Sequence, residues 1–183
     1  MEIVKSIKQN TYIKNIIYVL MGSILLTISA KIKIPFYPVP MTMQTFVVLF
    51  LGVILGSKLG ALSVTLYLVE GIIGLPVFSN TPEKGIGIVY FTGPTMGYLV
   101  GFIFASYIAG LINLKTNIII IFIKLVFTVS IIYFFGIAWL GFLIGWEKPI
   151  FDLGAKPFLL AEVFKILILT LLTKYLLGLK KLI

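Results

Sequence analysis

Four ionisable side chains stand inside stretches that are otherwise apolar: Glu70, Lys124, Glu162 and Lys165. A charge in hydrocarbon is costly and persists where it has a partner, a polar cavity or a route to water, so each is a candidate for function. Glu162 and Lys165 are spaced i, i+3, which puts both on one face of a helix, where they can pair or share a ligand. A structural ion pair that holds helices together reads equally well from the same spacing. Glu70 stands near the end of its stretch, within reach of interfacial water, and Lys124 can extend its stem to the nearer surface. A second concentration is Ile34-Pro-Phe-Tyr-Pro-Val-Pro-Met-Thr-Met-Gln-Thr45, where three prolines forbid helix and fix an extended path. One of Thr42 and Thr45 suits the cap of the helix that follows. Gln44 carries an amide that both donates and accepts, which suits a neutral ligand with both kinds of group. The third concentration is Gly74-Leu-Pro-Val-Phe-Ser-Asn80, with Tyr90, Phe91 and the interrupted Gly93-Pro-Thr-Met-Gly-Tyr98 after it. Irregular backbone at membrane depth is tolerated where it lines a cavity or is buried in protein. Gly93, Gly97 and Gly101 equally make a small-residue face for tight helix packing.

Much other chemistry is excluded. The chain has no cysteine and no histidine, which removes disulfides, thiolate and imidazole metal sites, and any Ser/His or Cys/His nucleophile pair. No metal site and no cofactor is expected. Of its residues 60% are hydrophobic and 11% charged, so water does not suit most of its surface and lipid does. The net charge of +9 comes from lysines spread near the ends of apolar runs rather than gathered in one patch, a pattern of membrane topology and not of nucleic-acid binding.

The elements that must position these residues follow from length. A helix needs about 20 residues to cross the hydrocarbon core. Runs bounded by Lys, Pro or Gly predict six membrane helices over about 16–30, 42–56, 59–75, 86–112, 117–145 and 157–179, in one bundle and one domain, 1–183. The second and third are separated only by Ser57 and Lys58, which predicts a tight hairpin; the fourth is broken at Gly93 and Pro94; Pro157 suits a first helical turn. With the N-terminus inside, Lys5, Lys8, Lys14, Lys58, Lys115, Lys174, Lys180 and Lys181 fall on one side. Lys31, Lys33, Lys84, Lys148 and Lys156 fall on the other, beside Glu83, Glu147 and Asp152. Lysine excess marks the cytoplasmic side, so both termini are expected there. All three concentrations then share the outer half, which predicts one outward-facing pocket.

Five segments in order, Pro38 to Phe46, Leu55 to Ser63, Gly71 to Phe78, Gly93 to Tyr98 and Pro157 to Lys165, resemble the biotin-binding S component of energy-coupling factor transporters. The resemblance implies an all-α, multi-pass protein of the bacterial cytoplasmic membrane that captures biotin from outside. It also implies a transmembrane coupling protein and two cytoplasmic ATPases as partners. The absence of a G-x-x-x-x-G-K-[ST] loop fits that division of labour. By position, Asn80 or its neighbour in the loop after Pro76 resembles the family's ligand-contacting asparagine, and Lys165 the lysine of the sixth helix. Glu162 stands where the family usually has Asp, and Met96 where it usually has Gly. Gln44, Asn80, Glu162 and Lys165 would meet the polar groups of biotin, with Phe36, Tyr37, Phe78, Tyr90 and Phe91 as apolar wall. The small residues Gly22, Ser23, Thr27 and Ala30 of the first helix are expected to form the face that docks on the coupling protein. Rival readings are an S component for thiamine or riboflavin, an intramembrane acid-base enzyme using Glu70 and Glu162, and a channel or structural subunit.

Overall fold

The computed structural model describes residues 2–83 and 85–180, with the side chains of 2–10 and 174 excepted. Lys84 and Lys181 of the lysine pattern, and the side chains of Lys5, Lys8 and Lys174, therefore lie outside the described residues.

The first helix, α1 (Glu2–Lys31), leads into a two-residue antiparallel ladder of β1 (Lys33–Ile34) and β2 (Met41–Thr42), in register Lys33 to Thr42 and Ile34 to Met41. This ladder is absent from the all-helical expectation. The prolines at 35, 38 and 40 keep the chain extended, and extended segments that close on each other can pair. The helix α2 (Gln44–Leu55) turns into α3 (Ser57–Ile72) through Gly56 alone. Gly56 has φ +85°, a region open to glycine, and its N–H donates to Gly52 O at 2.9 Å. Ser57 and Lys58, expected as the turn, already belong to α3.

The fourth stretch divides at Gly93-Pro94 as its residues dictate: a 3-10 turn, Gly87–Thr92, precedes α4 (Met96–Gly110). The long α5 (Ile118–Ile144) is capped by Asn117, whose side-chain oxygen accepts the Ile119 N–H at 2.8 Å. A short helix the sequence did not announce, α6 (Ile150–Gly154), follows. Pro157 then sits in a 3-10 turn, Lys156–Phe158, that feeds α7 (Leu159–Lys180).

In the bundle α4 packs on α5, α2 and α3; α1 lies on α3 and α2; and α7 closes the far side against α2 and α5. Small residues set the close crossings. A Cβ on Gly52 would strike the Ser106 carbonyl, and one on Gly97 the Phe135 carbonyl.

The outward surface is apolar, with Ile119, Phe127, Phe134 and Phe142 of α5 all exposed, the last by 77%. Thr11–Lys31 and Ile118–Ile144 are long and apolar enough to cross a membrane, and α2 and α4 are apolar but shorter. Lys58 and Lys115 are exposed at one end of the bundle, where Lys180 Nζ donates to Val53 O at 3.0 Å. Lys156 and Asp152 pair at 2.8 Å at the other end, in water, where such a pair adds little stability.

Candidate functional site

Glu162 and Lys165 lie in the first two turns of α7 and face the first turn of α2. Lys165 Nζ donates to Glu162 Oε1 at 2.8 Å, to Thr45 Oγ1 at 2.9 Å and to the Thr42 carbonyl at 2.7 Å. Thr45 Oγ1 in turn donates to Glu162 Oε1 at 2.9 Å. The side chains of the pair are 8% and 6% exposed, so the three residues form a closed, dry ring. An ammonium has three protons, and all of them are engaged. Glu162 Oε2 is different. It is buried and has no partner in hydrogen-bond geometry among the described residues, with the Tyr133 hydroxyl of α5 the nearby group that interacts with the carboxylate; a buried polar atom in this state costs stability and is rare.

Glu162 lines a cavity with about 550 Å³ of empty space, its mouth included. The α1–α2 connection contributes Val39 to Thr42, α2 contributes Gln44 and Thr45, and the segment after α3 contributes Phe78 and Ser79. Tyr90 and Thr95 continue the wall into Tyr98, Leu99 and Phe102 of α4, and Tyr133 of α5 and Phe158 close it. No lysine among the described residues lines this cavity. Its walls are mostly aromatic and aliphatic, and the Glu162 carboxylate is their one fixed charge site.

Gln44 spans three elements: its Nε2 donates to Tyr67 Oη at 2.7 Å, its Oε1 accepts from Thr42 Oγ1 at 3.2 Å, and Tyr67 donates weakly to Val77 O at 3.4 Å. Neither threonine is the cap of α2, whose N-cap is Met43 with no side-chain bond; Thr42 Oγ1, one residue earlier, accepts the Gln44 N–H at 3.3 Å. Phe78 stacks on Tyr90 with centroids 4.6 Å apart and meets the rings of Tyr67 and Phe91 edge-on. Gly71 on α3 is where that ring rests, since a Cβ there would overlap it. Ser79 Oγ and Tyr90 Oη share a hydrogen bond of 3.2 Å.

The structure thus brings Gln44, Phe78, Tyr90 and Glu162 onto one cavity. Asn80 lies beside it, in a smaller recess that shares Tyr90 and Thr95 with the main cavity; its Oδ1 accepts from Lys33 Nζ at 2.9 Å. Lys165 stands one layer behind Glu162. Phe91 backs Phe78, and Phe36 backs Phe158 at 5.7 Å. Tyr37, expected in the wall, is 88% exposed, because the turn between β1 and β2 throws it outward.

The small-residue face of α1 also differs from expectation. Gly22 is packed so that a Cβ would meet Ser63 Oγ of α3 at 2.5 Å, and Ser23 and Ala30 are fully buried. Ser23 Oγ donates to Glu70 Oε1 at 2.9 Å, and half-buried Thr27 donates to Ser23 O at 3.0 Å. This face is filled by the chain's own α3, which gives Glu70 a partner other than water. Lys124 is exposed on the apolar face of α5 and makes no ion pair among the described residues.

Sequence reasoning offered Thr45 only as a cap, and it missed Tyr67, Phe102 and Tyr133. One signal was available for Thr45: a buried Glu–Lys pair leaves two ammonium protons to satisfy, and a hydroxyl or carbonyl must do so. The aromatics carried none, because on a helix surrounded by apolar residues a cavity-facing ring looks like a lipid-facing one.

With this geometry in hand, the chain can be set against known proteins. A curated protein described as a probable biotin transporter BioY from Pyrococcus horikoshii is 36% identical over 77% of this chain and 82% of its own. A biotin transporter BioY from Thermotoga maritima is 36% identical over 86% of this chain and 90% of its own. The crystal structure of the S-component for biotin from an ECF-type ABC transporter superposes with a TM-score of 0.73 at 26% identity, covering 94% of this chain and 92% of that one. A family model described as the BioY family matches residues 4–181, and on that nearly full-length match the chain belongs to the BioY family.

Proposed function

We propose that this chain is the membrane-embedded S component that captures biotin from outside for uptake by an energy-coupling factor transporter. One observation carries the reading beyond family membership: Glu162, whose Oε2 is buried and accepts no hydrogen bond, lines a mostly apolar cavity. Biotin pairs an apolar bicyclic ring with a ureido group whose N–H can donate to such an oxygen, a charge-assisted bond in a dry place. No cation among the described residues lines the cavity, so the carboxylate of biotin lies away from Glu162, on the side of the recess that holds Asn80. Six helices, α1 to α5 and α7, cross the bilayer with both termini cytoplasmic, a reading supported by the lysine distribution. A coupling protein and two ATPases, separate from this chain, complete the transporter.

Titration of the purified, monodisperse protein against biotin, thiamine and riboflavin tests this. Biotin alone should bind, at one site per chain; a folded preparation that ignores biotin rules the reading out. Biocytin, modified at the carboxylate, should keep most of the affinity, whereas methylation of the ureido nitrogen should abolish it.

The handle for the coupling protein is the exposed side of α1. Tyr18, Met21, Leu25 and Ile28 form with Phe50 and Ile54 of α2 an open apolar groove that Gly22 also lines. Small residues that let backbones approach are how helices associate in lipid. Leu25→Trp, which fills the groove, should abolish uptake in cells that also make the coupling protein and ATPases, while the purified variant still binds biotin. Unchanged uptake would move the handle elsewhere.

A further inference from the structure

Lys31 and Lys33 enter the lysine pattern merely as outer-side charges. Both are solvent-exposed, yet each side chain bends back onto the protein. Lys31, in the last turn of α1, turns across to the segment between α3 and Tyr90: its Nζ donates to Pro76 O and Phe78 O, each at 2.8 Å. Longer contacts reach Thr81 Oγ1 at 3.3 Å and Thr81 O at 3.4 Å. Lys33 Nζ donates to Ser79 O at 3.0 Å and to Asn80 Oδ1 at 2.9 Å. Neither lysine has a carboxylate within ion-pair distance among the described residues, so neutral oxygens of one short segment hold two ammonium groups.

That segment is anchored at its middle by the buried Val77, Phe78 and Ser79, but its backbone is poorly tied. Residues 76–81 form no helix or strand, and the backbone bonds made inside it or to its edges are few, Val77 N–H to Leu75 O at 2.8 Å and Thr81 N–H to Phe78 O at 3.3 Å. Yet it supplies Phe78 and Ser79 to the cavity wall and Asn80 to the adjoining recess. Hydrogen bonds from a charged donor are roughly twice as strong as neutral ones, and two lysines on consecutive carbonyls make a clasp. We propose that Lys31, assisted by Lys33, is the positioning residue that holds segment 76–81 against the cavity, and that this clasp sets how fast ligand leaves. For its ligand readout the inference rests on the biotin reading; for its structural readout it does not.

Two measurements on the full chain in detergent decide it: amide hydrogen exchange of residues 77–81 without ligand, and the dissociation rate of labelled biotin. In Lys31→Met the exchange of those amides should rise about tenfold and biotin should leave about tenfold faster, the scale of losing one such bond. Lys31→Arg, which keeps the charge and donors, should restore both toward wild type, and Lys124→Met on the lipid face should change neither. Unchanged exchange in Lys31→Met overturns the clasp. Faster exchange with an unchanged dissociation rate overturns its control of release, and so does a variant whose exchange rises equally throughout the chain. If Lys31→Met does not fold, Lys33→Met, which removes only the bonds to Ser79 and Asn80, faces the same criteria. A wild-type protein that binds no biotin counts against the function proposed above, and the exchange data still judge whether Lys31 holds the segment.

Discussion

Lys165→Met is expected to cost more than any other single change at the site: about 3 to 5 kcal/mol of stability, the penalty for leaving a buried charge without its partner. The reason is the ring described above. Glu162 Oε1 would keep Thr45 alone, and Oε2 has no partner to begin with. The double variant Glu162→Gln/Lys165→Met should recover most of the melting temperature, because it removes both charges together. It should not recover biotin binding, since the acceptor is no longer a carboxylate. Thermal unfolding and affinity measured on the same samples separate the two effects. If Lys165→Met were as stable as wild type, the pair would not be the dry contact its geometry describes. Glu162→Asp, which keeps the carboxylate on a chain one methylene shorter, should be tolerated.

Gly71→Ala is the second large effect, and it arises at a position with no polar atom. The added methyl overlaps the Phe78 ring, which cannot swing away because Tyr67, Tyr90 and Phe91 hold it on its other sides. Overpacking of this kind costs about 1 to 3 kcal/mol, and the ring's free direction is the cavity. Affinity for biotin should therefore fall about tenfold to a hundredfold, with α3 itself intact, as alanine favours helix over glycine. Phe78→Leu in the same chain should return part of the loss by making room. An unaltered affinity in Gly71→Ala would show that the ring relaxes elsewhere.

These two sites differ in how far the sequence revealed them. Glu162 and Lys165 stand out because ionisable residues are rare in apolar helices, so two letters suffice to mark them. Several turns are similarly plain, since Gly56, Pro94, Asn117 and Pro157 are turn or cap residues with a physical reason to sit where they do, whereas the first helix, expected from about 16, starts at Glu2. Gly71 is silent. Its partner comes seven residues later, across an irregular loop whose path no periodicity predicts. The small-residue face of α1 was legible as a packing surface, but not what packs on it. Lipid, a partner helix and the chain's own α3 all accept the same residues, and only Ser23 meeting Glu70 decides among them. The hairpin of β1 and β2, and α6, were illegible because each is too short to carry a hydrophobic period.

The ring of Thr45, Glu162 and Lys165 also bears on biosynthesis. Thr45 and Glu162 are 117 positions apart, and contacts so distant along the chain form late. While translation is under way, α1 to α5 can insert and pair, but the anionic wall of the pocket does not exist until α7 has emerged and docked. Ligand therefore recognises only the finished molecule. Because a ligand that binds the native state alone stabilises it by mass action, external vitamin would favour completion of this last step in newly made protein. Cells grown with abundant biotin should accumulate more of a variant weakened at the α2–α7 contact than cells grown without it.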